Sequence, residues 1–266
     1  MRRFTPLLLL ALLCCAPAAL ASCPKVEIAL TPQVQSGPTC LVAAALSTMS
    51  AHGPVSMSVQ SLARTLPVYP DGIDWYDLAV ALEAKGFGVK LSTGPPEAMA
   101  RLVEAGFPLV ALTRRGKGVH ALSVHGVERT ELAGRCDGEV ARLLVMDPRH
   151  GKSRWVTREA LAKAQSEARL LLIYRPSDAA RLASKGFPLA LAERVDRRLR
   201  AQALLKRALE HSPTNTQALA LLKRASAHDP CWAPLRQALT KSAIHLGQPL
   251  PPKASCPDDS QAGASP

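Results

Sequence analysis

One boundary constrains this 266-residue sequence more than any other: Gln33-Val34-Gln35-Ser36-Gly37-Pro38-Thr39-Cys40 runs directly into Leu41-Val42-Ala43-Ala44-Ala45-Leu46-Ser47-Thr48-Met49. Gly37 and Pro38 stop any regular element before them. Thr39 is a helix-capping residue type, and the Ala- and Leu-rich run propagates a helix. Cys40 therefore falls on the first turn. Unpaired N–H groups and the positive end of the helix dipole favour an anion there, and so favour the thiolate. Gln35, five residues upstream, can lend a side-chain N–H to an oxyanion forming beside the sulfur, and Gln33 competes for that role. A buried, inert cysteine opening a core helix is the ordinary alternative for one cysteine considered alone.

The N-terminus must be set aside before the fold is read. Arg2 and Arg3 precede an apolar run from Leu7 to Leu20 and a small-residue cleavage region, so residues 1–22 read as an export signal. The run is too short, and too interrupted by proline, to span a membrane. Ala19-Leu20-Ala21 suits ordinary signal peptidase, whereas Leu20-Ala21-Ser22-Cys23 resembles the bacterial lipobox. On the second reading Cys23 becomes the lipidated first residue and anchors the chain in the membrane. Pro24 is not the aspartate associated with inner-membrane retention, so the expectation is an outer-membrane anchor facing the periplasm, and otherwise a periplasmic protein. Loss of the signal leaves Cys23, Cys40, Cys136, Cys231 and Cys256. In an oxidising compartment a Cys231–Cys256 disulfide is expected, with Cys136 left over in a polar turn.

Along the chain, a loop leads from Val55 into a short helix ending near Ala63. Residues 74–86 read as an amphipathic helix capped by Asp74 and ended by Gly86. Residues 87–91 suit a strand and 97–105 a helix closed by Gly106. Three β-compatible runs follow, at 108–112, 119–127 and 142–146, the last two joined through a hairpin tip at Cys136-Asp137-Gly138. A helix over 157–166 and a strand over 170–174 complete an α+β unit, helices followed by antiparallel strands. Within it, His120 opens one strand and Asp147 ends another. Adjacent antiparallel strands would set imidazole beside carboxylate, and with Cys40 these make a nucleophile, a base and an orienting acid. A turn-forming Asp147 before Pro148 and a surface His120 are the ordinary alternatives. His52, His125 and His150 read as loop or surface residues.

Five segments resemble the papain-like cysteine peptidases of the bacteriocin-processing, double-glycine leader peptidase family, in that family's order. They are Gln35 to Cys40; Gly72-Ile73-Asp74-Trp75-Tyr76-Asp77-Leu78 leading to Lys85-Gly86-Phe87; Gly106-Phe107-Pro108-Leu109-Val110-Ala111; Val119 to Val127; and Val145-Met146-Asp147-Pro148 with Gly151. The resemblance spans about residues 30–176. It implies a papain-like fold over 23–176, with N-terminal helices packed on an antiparallel sheet. It further implies Cys40 as nucleophile, His120 as general base and acid, Asp147 as orienter and Gln35 as oxyanion donor, acting on a peptide or protein substrate through a covalent acyl-enzyme, with no metal or organic cofactor. The same triad would serve an acyltransferase or transpeptidase, and a catalytically retired binding lipoprotein is the third reading.

After Pro176 the composition turns to Ala, Leu and Arg at helical spacing. Three helices are expected, at 192–211, 216–228 and 232–246, in a small helical region over 177–250 whose segment 203–215 resembles the close of a tetratricopeptide repeat. A disordered tail over 251–266 follows. The chain carries a formal charge of +12, and over 178–253 Lys and Arg outnumber Asp and Glu by 13 to 5. Arg194, Arg197, Arg198, Arg200, Lys206 and Arg207 cluster on predicted helix. Such a cluster reads as a solvated face, or as a surface for an acidic protein or anionic lipid. Nucleic acid is not expected in an exported chain with few aromatics to stack on bases.

Overall fold

Leu109-Val110-Ala111-Leu112 and Leu170-Leu171-Leu172-Ile173 are apolar at every position, as a strand covered on both faces requires. The computed structural model describes residues 23–69, 72–115, 118–132, 135–185, 189–212 and 215–249, and makes these two runs neighbours inside one antiparallel sheet. The elements in chain order are β1 (Val26–Glu27), α1 (Cys40–Met49), α2 (Val59–Ala63), β2 (Val68–Tyr69), β3 (Gly72–Ile73), α3 (Trp75–Glu83), β4 (Gly88–Thr93), α4 (Pro96–Glu104) and β5 (Leu109–Arg115). There follow β6 (Gly118–Arg129), β7 (Val140–Asp147), β8 (Lys152–Thr157), α5 (Arg158–Ala164), β9 (Gln165–Tyr174), α6 (Ala179–Ser184), α7 (Leu189–Leu209), α8 (Thr216–His228) and α9 (Ala233–His245). The sheet order is β4-β9-β5-β6-β7-β8, with β1 added beside β6.

The architecture is the expected α+β one. Val110, Leu112, Leu171 and Ile173 pack with α1, α2 and α3, while Leu109, Ala111, Leu170 and Leu172 pack with Met99 and Val103 of α4 and Leu182 of α6. The alternation along each strand thus feeds two cores, one on each face. Every residue of α1 from Leu41 to Met49 is buried. Apolar on all sides, α1 is an interior helix. At the start of α3, Asp74 accepts a hydrogen bond from the Tyr76 N–H at 2.7 Å, and Gly86 follows the helix at φ +85°, a left-handed turn that glycine makes without strain. The sequence reading missed β8, whose Lys152-Ser153-Arg154 start is too polar to stand out as a strand.

The N-terminus departs from expectation. β1 pairs with β6 through Val26↔Val127 and Glu27↔Gly126, which lays the chain start beside the β6–β7 hairpin. There Cys23 is joined to Cys136 in a disulfide, with their Cα atoms 5.3 Å apart. Cys136, expected to be left over, is thus paired, and its partner is the cysteine for which the sequence suggested a lipid. Cys231 is disulfide-bonded as well; its expected partner Cys256 lies outside the described residues, as do the export signal and the segment 251–266. Cys40 is the free cysteine among the described residues. No helix among them is long and apolar enough to cross a membrane.

The basic helices do not stand apart. Buried residues of α7, α8 and α9 are continuous with those of α1 and α3 in one core. The expected arginine cluster is divided between solvent and that junction. Arg200 donates to both carboxylate oxygens of Glu83, at 2.8 and 3.0 Å, and to Asp196 at 3.0 Å. Arg207 grips Asp77 with two bonds of 2.8 and 2.9 Å, and Arg198 pairs with Asp229. These three are not available to an external partner. Asp196 also accepts the Leu91 N–H at 2.9 Å, and Arg200 donates to the Val89 carbonyl at 3.3 Å. Two side chains of α7 thereby satisfy backbone groups on the outer edge of β4, an edge otherwise open to pairing with another chain.

Candidate active site

His120 lies on β6 opposite Thr113, whose hydroxyl donates to the His120 carbonyl at 3.0 Å. Asp147 closes β7 on the other side. The two strands bring His120 Nε2 to 2.9 Å from Asp147 Oδ1, with both residues buried. A carboxylate only accepts, so Nε2 carries the proton and Nδ1 keeps its lone pair in the neutral ring. Nδ1 makes no hydrogen bond among the described residues. Burial pushes the Asp147 carboxyl up, but the Arg149 N–H at 2.9 Å and the His120 ring outweigh it, and the group is held below the usual carboxylate range. The carboxylate thus holds the His120 ring by Nε2 and fixes its orientation.

Cys40 is the first residue of α1 and is half-buried. Three tethers fix how α1 runs against β6. The Ile28 N–H donates to the His125 carbonyl, the Gln33 N–H to Ser47 Oγ at 3.0 Å, and the Gln35 N–H to the Pro148 carbonyl at 2.8 Å. Residues 28–35 thus run antiparallel to both α1 and β6, so the helix and the strand point the same way. Ser123 Oγ then pins them together on the Ala44 carbonyl at 3.1 Å. From that level Cys40 lies four helical residues back, about 6 Å, and His120 three strand residues back, about 10 Å. Thiol, imidazole and carboxylate are brought to the same end of the sheet. Cys40 and His120 are not in hydrogen-bond contact in this structure.

The Thr39 side chain does not cap α1. Its hydroxyl donates to the Ser36 carbonyl and accepts the Ser36 N–H, both at 3.0 Å, closing the Ser36–Thr39 turn that contains Gly37 at φ +63°. Without a side-chain cap, the first N–H groups of α1 remain unspent at the cysteine. Gln35 donates from Nε2 to the Gly37 carbonyl at 3.1 Å, while its Oε1 is buried without a partner. Its amide thus spends a donor on the turn that leads into α1.

His120 and Asp147 border a cavity of about 560 Å³ that also includes Thr113, Arg114 and Arg154, none of which the sequence reading singled out. A charged hairpin and an unrecognised strand carry the two arginines, and no spacing marks them. His125 is a correction: it is buried, its Nδ1–H donates to the Ile28 carbonyl at 2.8 Å, and Nε2 accepts from Ser153 Oγ at 2.9 Å. Burial holds it below the usual histidine range. The His52 side chain is buried too, with Nδ1 3.4 Å from Asp178. Both fasten the frame.

No family model matches the chain, and no curated protein is similar to it. Among solved structures it is similar to the peptidase domain of ComA, a bifunctional ABC transporter of Streptococcus involved in quorum sensing: identity 14%, covering 56% of this chain and 99% of that one, TM-score 0.45. It is similar also to a double-glycine-motif protease from an AMS/PCAT transporter, solved with its leader peptide: identity 12%, coverage 56% and 94%, TM-score 0.41. A third is the N-terminal peptidase-like domain of a toxin secretion ATP-binding protein from Vibrio parahaemolyticus: identity 15%, coverage 53% and 99%, TM-score 0.37.

Proposed function

We propose that the chain is an exported cysteine peptidase that hydrolyses peptide bonds through Cys40, His120 and Asp147. The observation that carries this is the buried His120–Asp147 pair, 2.9 Å apart, with Nδ1 uncommitted at the end of the sheet where α1 begins with Cys40. In the reaction Nδ1 takes the thiol proton as the sulfur attacks the scissile carbonyl. The N–H groups at the start of α1 receive the developing oxyanion. The imidazolium returns its proton to the leaving amine, and His120 then draws a proton from the water that frees the acid and regenerates the thiol. In unliganded sites the nucleophile–base contact is often long and tightens with substrate, which suits the separation of Cys40 from His120. Export accords with a disulfide at Cys23–Cys136 and another at Cys231, since such bonds persist in oxidising compartments.

The test is intact mass after brief iodoacetamide treatment near pH 6 of the mature chain, Cys40→Ala and His120→Ala. Rapid single labelling that is absent in Cys40→Ala and slowed in His120→Ala is expected. Labelling no faster than an ordinary thiol, and indifferent to loss of His120, would overturn the proposal.

A further inference from the structure

The cavity beside His120 has a divided lining. Leu122, Val156 and Leu161 supply an apolar floor, and Arg114, His150 and Arg154 stand around it. The two arginines come from opposite sides of His120, Arg114 from β5 and Arg154 from β8. Asp147 is the carboxylate in the lining, and it is engaged by the His120 ring and the Arg149 N–H, both on Oδ1. Neither Arg114 nor Arg154 makes an ion pair or a hydrogen bond to another described residue. Elsewhere Arg129, Arg142, Arg158, Arg200 and Arg207 are each paired with an acidic side chain. A guanidinium is a rigid donor fork that fits a carboxylate, and both arginines are exposed, free to meet one. A volume of this size accommodates a side chain with part of its neighbours.

We infer that this cavity is an acid-selecting subsite: it takes the carboxylate of an aspartate or glutamate side chain of the substrate, beside His120, on Arg114 and Arg154. The inference rests on the peptidase reading of Cys40, His120 and Asp147. The apolar floor receives the methylene groups of the acidic residue while its carboxylate meets the two guanidiniums at the rim. Charge complementarity of this kind also excludes lysine and arginine at the same position.

The experiment uses a positional-scanning library of acetylated, amidated peptides, so that no terminal carboxylate competes with a side chain. Wild type is expected to turn over the glutamate pool at one position at least about tenfold faster, in kcat/KM, than the matching glutamine pool. The ratio should collapse towards one in the Arg114→Ala/Arg154→Ala double variant, and Arg154→Glu should shift preference towards lysine. A second arm measures binding of the same pools to Cys40→Ala by calorimetry. Turnover without a glutamate preference, or a preference that survives in the double variant, overturns the subsite and leaves the peptidase reading standing. Tighter binding of the glutamate pool that depends on the two arginines, with no turnover by wild type, sinks the peptidase reading and keeps the subsite. No discrimination in either arm overturns the subsite.

Discussion

The junction of α7 with α3 and β4 and the cavity beside His120 are both rich in arginine, and they use it in opposite ways. At the junction Arg200 is matched to Glu83 and Asp196, and Arg207 to Asp74 and Asp77. At the cavity Arg114 and Arg154 have no carboxylate partner among the described residues, and the nearby Asp147 is bonded to His120. A buried guanidinium without a partner is costly, so the junction fixes its charges internally. Charges on exposed side chains cost little when left unmatched, and they stay available to a ligand. Unmatched arginine around an apolar concavity therefore points to recognition, and matched arginine between elements points to assembly.

That contrast breaks first at Arg200. Arg200→Ala strands the buried Asp196 carboxylate and opens the edge of β4, and should cost about 3–5 kcal/mol in urea unfolding. A loss below about 1 kcal/mol would mean that the junction does not depend on its matched charges. Arg207→Ala removes a bidentate bond to the less enclosed Asp77 and should cost about 1.5–3 kcal/mol. Because α7, α8 and α9 share the core of α1 and α3, both variants should unfold in one transition, and a separate early transition of the helices would contradict the shared core.

An acid titration isolates the site's own pair. The Asp147 carboxyl is held below its ordinary value, so the pair stabilises the fold above the unfolded-state value near 3.8 and loses that contribution as pH falls through the lowered value. Asp147→Asn carries no such term. Its stability should therefore fall less steeply than wild type from about pH 5 downward. Parallel acid profiles would show that the carboxylate gains nothing from His120 and Arg149.

The sequence was most legible where one physical rule acted alone. α8 coincides with its expected range because Asn215 caps it and its spacing is regular: the Gln217 N–H bonds the Asn215 side chain at 2.7 Å. His120 and Asp147 were legible as polar residues terminating apolar strands. The Cys23–Cys136 bond was not, since it depends on β1 pairing with β6 across about a hundred intervening residues, whereas the lipobox reading needed only four adjacent ones. The fate of the tail arginines was equally hidden. Helical spacing gives their clustering but not which of them face α3.

The smallest expected effect is the most discriminating. Arg114→Ala and Arg154→Ala, singly or together, should change the free energy of unfolding by no more than about 0.5 kcal/mol, because neither side chain holds a partner among the described residues. Removing positive charge from a chain of formal charge +12 also relieves repulsion, so a slight gain is as acceptable as no change. Urea unfolding of the two single variants beside Arg200→Ala would read this directly. A loss of about 2 kcal/mol or more at either position would mean that the guanidinium is spent on the fold after all, and the contrast between a matched junction and an unmatched site would fail at its second half.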